Sequence, residues 1–145
     1  MTTVDFFVAG KPVAKQRARV VRNHGRVRSF TPEATVNYEL HVRMCAQEAM
    51  GGRDPFQQPV AMAVTVFVHP PQSWSAKRQR LAVEQMFMPT KKPDLSNILK
   101  SVEDGMNGVV YRDDSQIVSL NVVKQYSEWQ GVSVTVRELD TKPAP

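Results

Sequence analysis

The chain has 145 residues, 41% hydrophobic and 23% charged, a composition that fits one globular domain with its own core. Nineteen Lys and Arg against fourteen Asp and Glu give a net charge of +5, which favours polyanionic partners over acidic proteins or neutral metabolites. The single cysteine, Cys45, excludes an internal disulfide and a cysteine-based zinc site, and the longest apolar run, Val60 to Val68, is too short to span a bilayer. With no leader pattern at the start, a soluble cytoplasmic protein is expected.

Val4 to Ala9 alternates as a strand. Asn23-His24-Gly25 then reads as a hairpin turn between Arg19-Val20-Val21 and Val27-Arg28. Thr31-Pro32-Glu33 is a helix start, with Thr31 as cap, Pro32 in the first helical position and Glu33 favourable against the helix dipole. Val36, Leu40 and Met44 repeat at four-residue steps and predict a helix to about Met50, stopped by Gly51-Gly52. Val60 to Val68 is apolar at both parities, which predicts a central strand covered on both faces and closed by Pro70-Pro71.

A short helix is expected over Lys77 to Gln85. Leu95, Ile98, Leu99, Val102 and Met106 make one apolar stripe, predicting a helix from Leu95 to Asn107 with Gly108 as its stop. Gln116 to Tyr126 and Gly131 to Arg137 alternate at period two, joined by a turn at Ser127 to Gln130. Together these elements predict an α/β (α+β) fold, a small mixed β-sheet flanked by helices. A single domain spans 1–139 and a frayed tail 140–145.

The residues that carry chemistry lie in two places, Lys91-Lys92-Pro93-Asp94-Leu95-Ser96-Asn97-Ile98-Leu99-Lys100 and Tyr111-Arg112-Asp113-Asp114-Ser115-Gln116. Ser96, Lys100 and Asp104 fall on one helix face, with Asn107 continuing the row. Asp94 precedes the first turn. If the following strand returns beside this helix, the acids at its two ends converge near Lys100. Hard Mg²⁺ takes one or two carboxylates plus water and phosphate oxygens, so Asp94 and Asp114 are candidate ligands and Lys100 a candidate stabiliser of developing negative charge. A purely structural reading fits the spacing as well: Asp94 as an N-cap, Asp113-Asp114 as turn residues, Lys100 paired with Asp104 at i, i+4.

From Lys11 to Arg28 there are seven cations, Lys11, Lys15, Arg17, Arg19, Arg22, Arg26 and Arg28, and no acid. Such a cluster binds phosphates through counterion release, although a merely solubilising surface is the bland alternative. Lys77, Arg78 and Arg80 form a second patch, and Lys91 and Lys92 adjoin Asp94. Trp74, Phe30 and Tyr126 are candidates for stacking on exposed bases. His24, His41 and His69 have no partner at a ligand or triad spacing. Asp140-Thr141-Lys142, the one match to a restriction-type Asp-x-Lys pattern, lies in the tail.

Lys92 to Lys100 followed by Asn107-Gly108-Val109-Val110-Tyr111-Arg112-Asp113-Asp114-Ser115-Gln116-Ile117-Val118 resembles the signature of the RusA family of Holliday junction resolvases. Gly10 to Arg19 and Thr31-Pro32-Glu33 resemble that family's amino-terminal pattern, so the similarity runs from about Phe6 to Tyr126. The resemblance implies a small homodimer, common in phages and prophages, that binds four-way junction DNA and uses Mg²⁺, with Mn²⁺ able to substitute, to nick paired strands symmetrically. It places the catalytic aspartates at Asp94 and Asp114 and the catalytic lysine at Lys100. Where the family has Asp-x-Asp-Asn, this chain has Asp94-Leu95-Ser96-Asn97. A hydroxyl thus replaces a carboxylate. Ser96 can reach a metal only without charge, so either Asp113 or Asp104 makes up the deficit or the site binds junctions better than it cuts them.

Overall fold

A computed structural model describes residues 2–16, 19–30, 32–142 and 145. The described elements run in the order β1 (Thr3–Ala9), β2 (Arg19–Asn23), β3 (Arg26–Phe30), α1 (Glu33–Met50), β4 (Val60–Val68), α2 (Ala76–Val83), α3 (Leu95–Met106), a one-turn 3₁₀ helix (Asp114–Gln116), β5 (Ile117–Tyr126) and β6 (Gly131–Glu138). Four strands form a mixed sheet ordered β1-β6-β4-β5, in which β4 pairs parallel with β5 and antiparallel with β6. The α/β expectation of a small mixed sheet with packed helices is met. No helix of the described residues is long and apolar enough to cross a membrane.

The β2–β3 hairpin stands apart as its own two-stranded ribbon, turning at His24 and Gly25, both at positive φ (49° and 76°) as a two-residue primed turn requires. Thr31 lies outside the described residues. Pro32 is the N-cap of α1 rather than its first helical residue, with φ −54° and ψ 142°, and its carbonyl accepts from Thr35 N and Val36 N. Gly51 closes α1 in the left-handed conformation predicted for it.

Three features of the packing lie beyond the sequence pattern, and the second, at β4, overturns an expectation. First, α1 buries Thr35, Tyr38, Val42, Ala46 and Met50, while Val36, Leu40 and Met44 are 48%, 54% and 60% exposed. The helix carries two apolar rows, and the buried one packs closely on α3 at Val42: at Gly105 of α3 an added Cβ would lie 2.7 Å from Val42 Cβ and 2.9 Å from the Glu39 carbonyl. Second, β4 is covered on one face only. Val60, Met62, Val64, Val66 and Val68 are buried with Val102, Ile98 and Val42, whereas Ala61, Ala63, Thr65 and Phe67 are partly or fully exposed on the other face. On that open face Phe7 lies across Gly131, where a Cβ would meet its ring at 2.2 Å, and tilts against Phe67.

Third, β5 and β6 do not pair with each other. The Ser127–Gln130 link crosses the end of β4, anchored by Ser127 N donating to the Val68 carbonyl at 3.0 Å, so that β4 lies between them. This crossing has a functional consequence. Strand β5 becomes the sheet edge beside α3, with Val122 and Lys124 next to Leu95 and Leu99 at the start of that helix.

Candidate active site

Helix α3 begins after Asp94, which adopts extended backbone at the N-cap but makes no side-chain cap. Its carboxylate is exposed, with Oδ2 accepting from Asn97 Nδ2 at 3.3 Å. Ser96 is exposed on the first turn, and Lys100 stands six residues beyond Asp94, about 9 Å along the axis. The turn leading into Asp94 is fastened from the sheet. Lys124, on the inward side of β5, donates to the carbonyls of Lys91 and Pro93, both at 2.9 Å. Sequence reasoning passed over Lys124, yet a lysine in the alternating row Val122, Lys124, Tyr126 was a legible anomaly.

After α3 the chain turns back through Asn107 to Tyr111. Tyr111 is fully buried, and its hydroxyl donates to the Glu103 carbonyl at 2.9 Å, which fixes the returning segment against the helix it left. The acidic corner that follows is held by one amide. Gln116 Oε1 accepts from Arg112 N (2.8 Å) and Asp113 N (3.0 Å), while Nε2 donates to the carbonyls of Phe56 (2.8 Å) and Gln58 (3.0 Å). Both oxygen lone pairs and both N–H groups are therefore used. Asp113 completes a capping box, its Oδ2 accepting from Ser115 N at 3.1 Å. The Ser115 hydroxyl first, and the Ser115 N–H beside it, hold the Asp113 carboxyl below its usual range, and the N–H bond commits one of its oxygens to the backbone.

Asp114, the next residue, is brought to Lys100: Nζ lies 3.5 Å from Asp114 Oδ2 and 3.4 Å from Asp104 Oδ1. Lys100 and Asp114, fourteen positions apart, thus bring the two motif halves together at one ammonium. The two carboxylates, Asp104 first, raise the Lys100 pKa above its ordinary value, so it is cationic at neutral pH. Glu103, on the same helix, has its carboxyl pushed up by burial and by the neighbouring Asp114 charge. Asp94 stands outside this ion-pair chain, at the α3 N-terminus.

Lys15, expected to face DNA, is held by acids of two helices at the edge of the basic surface. Its Nζ pairs with Glu39 on α1 and with Asp104 on α3 at 2.9 Å. Asp104 is therefore occupied by two lysines and is not a spare ligand. Asp94 and Asp114 remain as hard, solvent-reachable oxygens, the donor chemistry that Mg²⁺ accepts when water and phosphate complete its shell. Among the described residues no three His, Cys, Asp or Glu side chains form a ready metal cluster.

A cleft of about 570 Å³ opens beside Asp94, walled by Lys11 and Lys15 on one side and by Lys92 and Pro93 on the other. Lys11, Lys91 and Lys92 are exposed, as are Arg22 and Arg26 on the hairpin and Lys77 on α2. Arg17 lies outside the described residues, as do the side chains of Arg19, Arg28 and Phe30. Arg78 stacks on Trp74 with its guanidinium 3.9 Å from the ring centroid. Trp74 itself packs edge-on against Tyr126 (5.7 Å) and Phe87 (6.1 Å), and Tyr126 is buried, so neither ring is free to stack on a base without repacking.

Carboxylates beside a lysine within a basic surface are the equipment of proteins that process phosphodiesters. The comparison with known families agrees. The family described as endodeoxyribonuclease RusA matches residues 9–137, and the chain belongs to that family. It is 36% identical over 141 residues to the uncharacterized protein YqaN of Bacillus subtilis (strain 168), covering 96% of this chain and 99% of that one. It is also similar to the crossover junction endodeoxyribonuclease rusA of Lactococcus phage r1t, 25% identical over 138 residues, covering 93% and 96% of the two chains.

Proposed function

We propose that this protein is a Mg²⁺-dependent, structure-selective endodeoxyribonuclease that resolves Holliday junctions by paired symmetrical nicks during DNA recombination and repair. The observation that carries the reading is the Lys100–Asp114 contact, because it joins the two stretches whose residues resemble the RusA signature. Asp94 and Asp114 would hold the metal. When bound, the ion supplies Lewis-acid polarisation of a phosphodiester and an acidified water. Lys100 offers a fixed positive charge to the oxyanion, and Gln116 keeps the Asp113-Asp114 corner in place. Lys11, Lys91, Lys92, Arg22, Arg26, Lys77 and the neighbouring Arg17, Arg19 and Arg28 supply sequence-independent phosphate affinity. A four-way junction has near two-fold symmetry, so an isologous homodimer is the economical assembly for coordinated nicks. The exposed row Val36, Leu40, Met44 and the β5 edge with Val118 and Leu120 are its two candidate surfaces.

The test is a labelled four-way junction incubated with and without Mg²⁺ or Mn²⁺, repeated with Asp114→Asn. Metal-dependent paired nicks that Asp114→Asn abolishes support the reading; nicking that persists in Asp114→Asn refutes the assigned site. A second reading, a junction-binding protein with a weakened or inactive site, is favoured by one observation: Ser96 places a hydroxyl where the family pattern has an acid, and no third carboxylate joins Asp94 and Asp114 in a cluster among the described residues. It predicts junction binding without nicks, and restoration of Mg²⁺-dependent cleavage by Ser96→Asp. An unchanged rate in Ser96→Asp at saturating metal removes position 96 from the metal shell.

A further inference from the structure

We propose that Lys15 and Asp104 are positioning residues that set the direction of Lys100 and tie the basic arm to the helix that carries the site; the inference rests on the nuclease reading above. Asp104 is shared by two ammonium groups, one oxygen lying 2.9 Å from Lys15 Nζ and the other 3.4 Å from Lys100 Nζ. Lys15 in turn spans two helices, since Glu39 on α1 takes its second contact. Its backbone joins the same junction: Lys15 N donates to the Asn97 carbonyl at 2.8 Å, and Gln16 N to Thr35 Oγ1 at 3.3 Å. The segment that leads into the β2–β3 hairpin is thereby stitched to the first turns of α1 and α3.

The electrostatic consequence follows from the sharing. One carboxylate between two cations attracts each with half of its contacts, which leaves Lys100 extended between Asp104 and Asp114. Without the Lys15 charge, both Asp104 oxygens are available to Lys100, and its ammonium is drawn back along α3, away from Asp114. Lys15 touches no reacting atom in this scheme. Its effect on catalysis passes through Asp104, and its backbone bonds transmit the position of the DNA-gripping hairpin to the same helix.

The test compares Lys15→Met, Lys15→Arg and Asp104→Asn in the full chain. For Lys15→Met the expected result is a kcat lower by about 10-fold to 100-fold with KM within about two-fold, as for a displaced catalytic group, and recovery of most of the rate in Lys15→Arg. A raised KM with kcat intact would show that Lys15 is a phosphate contact and would overturn the proposal. Nζ resonances of ¹⁵N-labelled lysine in the metal-free protein give a readout independent of cleavage: the Lys100 signal, assigned with Lys100→Arg, moves in Lys15→Met and in Asp104→Asn. An unmoved Lys100 signal in both overturns the strut even where nicking is altered. If the wild-type protein nicks no junction, the nuclease reading falls, and the resonances alone decide whether Lys15 and Asp104 position Lys100. Asp104→Asn keeps the side-chain shape, so it serves if Lys15→Met fails to fold.

Discussion

Helices α1 and α3 lie against each other at Gly105, and they differ in how plainly their sequences declare an inner face. Helix α3 has one apolar stripe, and Ile98, Val102 and Met106 of that stripe are buried. Helix α1 has two, and the more apolar row, Val36, Leu40 and Met44, faces outward, about 120° to 200° around the axis from Val42. A repeat of four establishes a helix without establishing its inside. The inside of α1 is the row Thr35, Tyr38, Val42, Ala46 and Met50; Val42 meets Gly105 of α3, and Glu39 reaches the α3 side chain Asp104 through Lys15. The outward sides differ as well, since that of α3 carries Lys100 and that of α1 carries no ion pair with the acidic corner.

The comparison breaks most severely at the crossing point. Gly105→Val puts a side chain into Val42 and the Glu39 carbonyl, and a loss of about 3 kcal/mol or more is expected from urea unfolding; a loss below about 1 kcal/mol would mean that the helices have room to part. On the outward side of α3, Lys100→Met is expected to lower Mg²⁺-dependent junction cleavage by about 100-fold, close to 2.7 kcal/mol of transition-state stabilisation, with little change in unfolding midpoint. Inside α1, Val42→Ala is expected to cost about 2 kcal/mol, because Val42 is fully buried. Leu40→Ser on the opposite face should stay within about 0.5 kcal/mol for the monomer. Equal losses at positions 42 and 40 would reverse the assignment of α1's faces. If the outer row is the dimer surface, Leu40→Glu yields monomers in sedimentation velocity while β5-edge variants remain dimeric.

The smallest effect concerns pH. The Lys15 pKa is raised above 10.5, chiefly by its bond to Glu39 against a partial desolvation penalty. A folded-state value above the unfolded one gives a contribution that is complete below pH 10.5 and lost as pH rises through the folded value. The stability gap between wild type and Lys15→Met is therefore expected to be constant from about pH 7 to 9 and to narrow above about pH 11.

Much of the site was legible because its residues are contiguous. Asp94 at the N-cap of α3, Lys100 on that helix, the Asp113-Asp114 turn and the His24-Gly25 turn depend on near neighbours, and each lies in the kind of local structure the pattern gave it. Gln116 was visible as part of the motif, but its role was not, because its partners Phe56 and Gln58 lie about sixty residues away. Lys15 looked like one more phosphate-binding cation until α1 and α3 surrounded it with acids. Alternation in β5 and β6 predicted two strands and a short link, yet alternation is the same whether the link is a hairpin or a step across β4.

Read alone, the chain determined its helices, its strands, its ribbon turn and the spacing of the candidate acids and lysine, since periodicity and backbone preference act over a few residues. Tertiary structure decided which row of α1 is inside, that β4 separates β5 from β6, that one face of the sheet stays open, and that Lys15 pairs with acids of α1 and α3. Those outcomes depend on excluded volume and charge between segments far apart in sequence, and such contacts acquire a sign and a distance only when the chain has closed on itself.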